Sequence, residues 1–99
     1  MVLIVAEKQG PHGLLVVITD KDILGKTFTE GKVQLDLTKP FYQGKEKTKA
    51  EIKILLKRAR DLHLTGKEAV ALGVEENMVE SKRILYVQNV PHALVVVGD

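Results

Sequence analysis

The sequence predicts an α+β fold: a two-layer domain with a mostly antiparallel sheet of about five strands and two helices on one face. Three observations predict it. Apolar, β-branched runs open and close the chain, at Val2–Glu7, Leu14–Thr19, Arg83–Gln88 and Ala93–Val97. Between them Ile52, Leu55, Leu56, Ala59 and Leu62 recur at i, i+3, i+4, i+7 and i+10, the spacing of one helical stripe. The two periodicities separate along the chain in the order β-β-β-α-α-β-β, and an apolar helix stripe needs a sheet to cover.

The first two runs flank Gln9-Gly10-Pro11-His12-Gly13, so they predict a hairpin with a longer loop. Their near-continuous Val, Ile and Leu suits central strands covered on both faces. Asp20–Lys26 predicts a single helical turn, with Asp20 as N-cap and Gly25 as its stop. Lys32–Thr38 alternates, and predicts a half-exposed strand with Val33, Leu35 and Leu37 inward. Pro40 breaks the chain, and Phe41-Tyr42-Gln43-Gly44 is a loop carrying one of the two Phe and one of the two Tyr residues.

Thr48-Lys49-Ala50-Glu51 has the form of a capping box and starts the main helix, which the stripe carries through Leu62. Thr65-Gly66-Lys67-Glu68 repeats the pattern ahead of Ala69, Val70 and Leu72. Gly73 is placed to end that second helix in a left-handed conformation. The helices are expected to fold back as a pair over the sheet. Glu75–Ser81 is polar and irregular, and Asn89-Val90-Pro91-His92 is expected to be the turn between the closing strands.

Composition bounds the rest. A chain of 99 residues reads as one domain, near the size where a core folds unaided. Its 44% hydrophobic and 28% charged residues exclude disorder. Cysteine is absent, which excludes disulfides and thiolate metal sites and fits a cytoplasmic location. With no Trp and four aromatics in all, the core must be aliphatic. The richness in Lys, Glu, Ile, Leu and Val would suit a thermophile. The start meets a charge at Glu7 and has no basic leader, so it reads as neither signal peptide nor membrane span. No other apolar run approaches the required ~20 residues, and no membrane partner is expected.

Charge is unevenly spread. Between Lys39 and Arg60 eight basic residues oppose Glu46 and Glu51, a net +6, which leaves the remainder at −4 for a total of +2. Lys49, Lys53, Lys57 and Arg60 fall within about 80° of one another on a helix of 3.6 residues per turn. A basic helix face is commonly just solvated. Its functional reading is contact with RNA phosphates through Lys45, Lys47, Lys49, Lys53, Lys57 and Arg60, with Phe41 or Tyr42 available to stack on a base. The expected partner is then structured RNA or a ribosome-associated component.

Other chemistry is thinly supported. Gly25-Lys26-Thr27 lacks the earlier glycine of a phosphate loop, since Asp20 holds that position. Asp20-Lys21-Asp22 lacks the glycine and late glutamate of a calcium loop. His12 and His92 both follow proline in turns, a placement that allows the fold to bring them together at one end of the sheet. However, no HxH or HxxxH spacing pre-places two metal ligands, and hydrogen-bonded turn histidines account for them. The sole Ser, Ser81, has no local nucleophile signature. No catalytic residue, metal or cofactor is therefore assigned, and the chain reads as a binding module rather than an enzyme. The alternative is a protein–protein adaptor or homodimer in which Leu94–Val97 is a pairing edge strand. A metal-dependent enzyme built on His12 and His92 ranks third.

Leu24-Gly25-Lys26 with Phe28 and Gly31, Phe41-Tyr42 with Gly44, Gly66 with Ala69-Val70, and Val90-Pro91-His92-Ala93 occur in that order. Together they resemble the archaeal domain-of-unknown-function family numbered four hundred and twenty-four, over roughly Leu3 to Ala93. The chain departs from that pattern at His63, where Asn is expected, at Leu94, where Gln is expected, and in its apolar tail. The resemblance implies a small archaeal cytoplasmic protein with no assigned activity and a loose association with translation. It singles out Gly25, Lys26, Phe41, Tyr42, Gly44, Gly66, Pro91 and His92 as motif positions of unknown role.

Overall fold

The computed structural model describes residues 2–97. Strands β1 (Leu3–Gly10) and β2 (Gly13–Asp20) form a hairpin whose register runs from Leu3↔Asp20 to Gly10↔Gly13. Only Pro11 and His12 lie between the paired ends, so the loop is tighter than the sequence predicts. Gly13, at φ +124°, supplies a conformation that a side chain would strain. Strands β3 (Thr27–Glu30) and β4 (Val33–Asp36) then form a small sheet of their own. Next come β5 (Lys45–Lys47), α1 (Lys49–Arg58), β6 (Asp61–Thr65), α2 (Lys67–Glu75), β7 (Leu85–Val87) and β8 (Val90–Val96).

The main sheet has the order β5-β1-β2-β6-β8-β7 and is antiparallel except where β2 meets β6. Parallel neighbours need a long crossover, and here it carries the small sheet, β5 and α1. The fold is thus α+β and mostly antiparallel, with six strands in the main sheet and two in the small one rather than about five.

The largest correction concerns β6. Helix α1 stops at Arg58, and Ala59 is already extended at ψ 141°. Leu62 therefore belongs to a central strand, not to the helical stripe. Leu62 satisfies both periods, since it also alternates with His63 and Leu64, and its place between β2 and β8 decides for the strand. The helices are consequently not a consecutive pair, although both lie on the face made by Leu3, Val5, Val16, Ile18, Leu62, Leu64 and Ala93. That face and Ile52, Leu55, Leu56, Ala59, Ala69, Val70 and Leu72 of the helical layer form the main core, each buried Val, Leu or Ile contributing on the order of 1.5–3 kcal/mol.

The capping box at Thr48 forms as predicted: the Glu51 amide donates to Thr48 Oγ1 at 3.2 Å and the Thr48 amide to Glu51 Oε1 at 2.9 Å. The second box does not form, because Thr65 is in β6. Asp20, at the end of β2, instead accepts the Glu68 and Ala69 amides of α2 at 3.0 and 2.8 Å. It makes no side-chain cap on the turn that follows it. Burial raises the Asp20 carboxyl above its usual range, against the pull of those two amides.

Gly73 lies inside α2, and Asn77 takes the left-handed conformation at φ 60°. Leu64 and Val79 fill the space a Cβ at Gly73 would need. Val33, expected inward, is 57% exposed. The last hairpin turns at Gln88 and Asn89, both with positive φ, so Pro91 and His92 are strand residues and not a turn. Proline is tolerated there because the facing Gly66 carbonyl already accepts the Val70 amide at 3.0 Å. No described helix is long and apolar enough to cross a membrane.

Candidate functional site

The sheet face opposite the helices carries most of the polar and aromatic chemistry. Successive rungs across β2, β6 and β8 place Thr19, Thr65 and His92 in one row, then Val17, His63 and Leu94, then Leu15 and Asp61 beside Val96. A 3-10 turn at Pro40–Tyr42 lays Phe41 and Tyr42 on Ala6, Leu15 and Val17 of this face. Both rings are half-buried, and Tyr42 also packs against the cluster of Leu35, Leu37 and Val87.

The rings make a row. Tyr42 meets Phe41 edge-on at 5.1 Å between centroids, Phe41 meets His63 at 5.0 Å, and His63 meets His92 at 6.3 Å. The Lys8 ammonium stands 5.4 Å from the centre of the Phe41 ring, within cation–π range. Burial lowers the pKa of both His63 and His92, and for His92 the neighbouring His63 adds to the shift. Both imidazoles are thus neutral at pH 7. Burial, with Asp36 nearby, raises the Tyr42 phenol. Thr65 Oγ1 and His92 Nδ1 are 2.7 Å apart, and the buried Thr19 hydroxyl beside them has no hydrogen-bond partner among the described residues.

His12 does not join this row. Its Nδ1 lies 3.1 Å from both carboxylate oxygens of Asp61, to which it can only donate. Asp61 and Thr65 are the two ends of β6, so His12 and His92 sit at opposite ends of the sheet. His63, midway, is the imidazole that reaches His92. Among the described residues no three His, Cys, Asp or Glu side chains come together in a metal-binding cluster.

The basic residues divide into groups. Lys49 is held by Glu75 at 2.8 Å and Lys53 by Glu76 at 3.6 Å, pairs that tie α1 to α2 and neutralise part of the expected ridge. Glu75 raises the pKa of Lys49, and Lys49 lowers that of Glu75. Arg60 lies beyond the helix, its side chain against Gly13 of the first hairpin. Lys57 and Arg58 are exposed on the last turn of α1. Lys45 and Lys47 line a groove of about 340 Å³ with Glu7, Lys8, Gln43 and Gly44. Glycine is required at 44 because a Cβ there would collide with the Val5 carbonyl.

Four motif positions meet elsewhere. Lys26, Gly66 and Pro91 border a hollow of about 280 Å³ at the start of α2, and Gly25, at φ +87°, turns the chain into it. The Gly66 amide donates to the Pro91 carbonyl at 2.9 Å, and a Cβ at Gly66 would strike the Asp20 carboxylate. Gly66 and Pro91 therefore serve the Asp20 cap, and His92 continues the same strand toward Thr65.

Residues 7–97 match the family described as "Protein of unknown function (DUF424)". The chain belongs to this DUF424 family. No curated protein matches it in sequence. Among solved structures it is similar to one described as the crystal structure of an uncharacterized conserved protein from Methanopyrus kandleri. The TM-score is 0.78 at 16% identity, covering 100% of this chain and 96% of the other, a likeness of fold. The motif residues of the DUF424 resemblance thus fall in the α2 hollow, in the Phe41–Gly44 turn and along β8. Sequence reasoning missed Thr19, Thr65, Lys8 and the role of His63. The only signal for His63 was its alternation with Leu62 and Leu64.

Proposed function

We propose that the protein is a non-enzymatic, cytoplasmic binding module that contacts structured RNA, free or within a ribosome-associated particle. The observation that carries this reading is the half-buried ring row on the sheet face opposite the helices, with Lys8 over Phe41 and the Lys45–Lys47 groove beside it. Unpaired bases stack on aromatic faces, and cations along the same path meet phosphates. A binding role rather than catalysis is supported at the Thr65–His92 pair, where the hydroxyl is fully buried and out of reach of a substrate. The charged site shifts accordingly. Lys45 and Lys47 keep the role expected of them and Lys8 joins them, whereas Lys49 and Lys53 are engaged by glutamates and Lys57 lies on α1, on the helix side of the sheet.

Fluorescence anisotropy with a hairpin RNA bearing an unpaired loop tests this. If Lys8, Lys45 and Lys47 meet phosphates, the slope of log K against log salt is roughly −2 for single strands. Lys45→Glu with Lys47→Glu should weaken binding by about tenfold or more, and Lys49→Glu with Lys53→Glu by much less. Binding that is absent, or indifferent to Lys45 and Lys47, overturns the proposal.

A further inference from the structure

The outer edge of β8 is only partly covered. Val97 donates to the Arg60 carbonyl at 2.8 Å, and Gly66 donates to that of Pro91. Odd-numbered residues of β8 therefore bond to β6, and even-numbered ones point their N–H and C=O outward. Strand β7 meets the first of these, Val90 and His92, and ends there. No backbone hydrogen bond among the described residues reaches Leu94 or Val96 from outside. Their side chains are 60% and 64% exposed, on the face away from the helices.

We infer that two copies of this chain pair through this edge, antiparallel and centred on Val95. In that register Leu94 of one copy opposes Val96 of the other, and both are outward-pointing residues that can exchange both of their backbone hydrogen bonds. Val95 faces Val95 of the second copy as the closer, non-hydrogen-bonded pair. Residues Ala93–Val97 carry no charge, so two-fold symmetry sets no like charges against each other. Glu80 and Arg83, of opposite sign, border the space of about 190 Å³ beside the strand. The opposite edge behaves differently. Strand β5 reads Lys45-Glu46-Lys47, and the same symmetry centred on it would oppose Glu46 to Glu46, the kind of charged edge that resists self-pairing. The β8 contact is short, so the dimer is expected to be weak and concentration-dependent. This inference is independent of the RNA reading.

Light scattering over a concentration series tests it, together with one introduced thiol. The sequence has no cysteine, so a disulfide formed by Val95→Cys reports a second copy alone. A non-hydrogen-bonded pair, with Cα atoms about 4.5 Å apart, lies within disulfide reach. The expected results are a dimer at high concentration, a cross-link at position 95, and none for Ile54→Cys on the exposed side of α1. Val96→Pro removes one outward N–H and should give a monomer with an unchanged circular dichroism spectrum. A chain that is monomeric at every concentration overturns the inference. So does a dimer that survives Val96→Pro, or one that fails to cross-link through position 95.

Discussion

The two faces of the main sheet use the same strands for different ends. Toward the helices, Val16, Ile18, Leu62 and Leu64 lock into a dry aliphatic layer. On the other side the alternate residues of the same strands are Val17, Thr19 and Thr65, which are buried, and His63, which is half-buried, with Phe41 and Tyr42 packed on Val17. Both sides are thus covered, one by a purely aliphatic layer and the other by a smaller mixed layer that holds half-buried rings. The lesson is that an all-aliphatic layer on one face lets the reverse of the same strands admit polar and aromatic groups.

That contrast can be broken or sharpened by substitution. Leu64 and Leu94 lie on neighbouring strands but on opposite faces. Leu64→Ala should cost about 2–5 kcal/mol in urea unfolding, the range for a buried leucine. A cost near zero would mean that the helix side is not the packed one. Next in size is Asp20→Ala, which removes the cap of α2 and should cost on the order of 1 kcal/mol, up to about 2. Asp20→Asn, which still accepts hydrogen bonds, should cost less.

The far face should also respond to pH. His63 and His92 have folded pKa values below the ordinary 6.5, so the unfolded chain binds protons first as pH falls. Their contribution is complete above about 6.5 and is lost as pH drops through the folded values. Unfolding free energy should therefore fall as pH drops below the ordinary imidazole value, and the fall should shrink in a His63→Phe, His92→Phe variant. Asp20 acts in the opposite sense: its raised pKa favours the folded state at low pH, and that contribution is lost as pH rises through the folded value. The smallest effect is expected from Leu94→Ala, within about 0.5 kcal/mol for the monomer. A larger loss of stability that grows with protein concentration would point to the β8 pairing.

Much of the frame could be read from residue order. The first hairpin, the Thr48–Glu51 cap, the buried stripe of α1 and the α+β class all rest on spacings of two, three or four residues, and each formed. The failures share one cause. Leu62, Asp20, Gly73 and Pro91 were assigned by their nearest neighbours in sequence, yet each is fixed by a partner far along the chain. Leu62 sits between β2 and β8, Asp20 against α2, Gly73 against Leu64 and Val79, and Pro91 beside Gly66. The lysine stripe failed in the same way, since Glu75 ends another helix and Glu76 follows it.

The sequence by itself determined the elements that local periodicity and capping can specify, along with an aliphatic core and a basic middle third. Only the tertiary structure decided which strand neighbours which, where the imidazoles meet, which lysines keep their charge free and which edge stays unpaired. The reason is physical. Periodicity says which side of an element is apolar, but the groups that neutralise a charge or satisfy an amide arrive from wherever the chain happens to return.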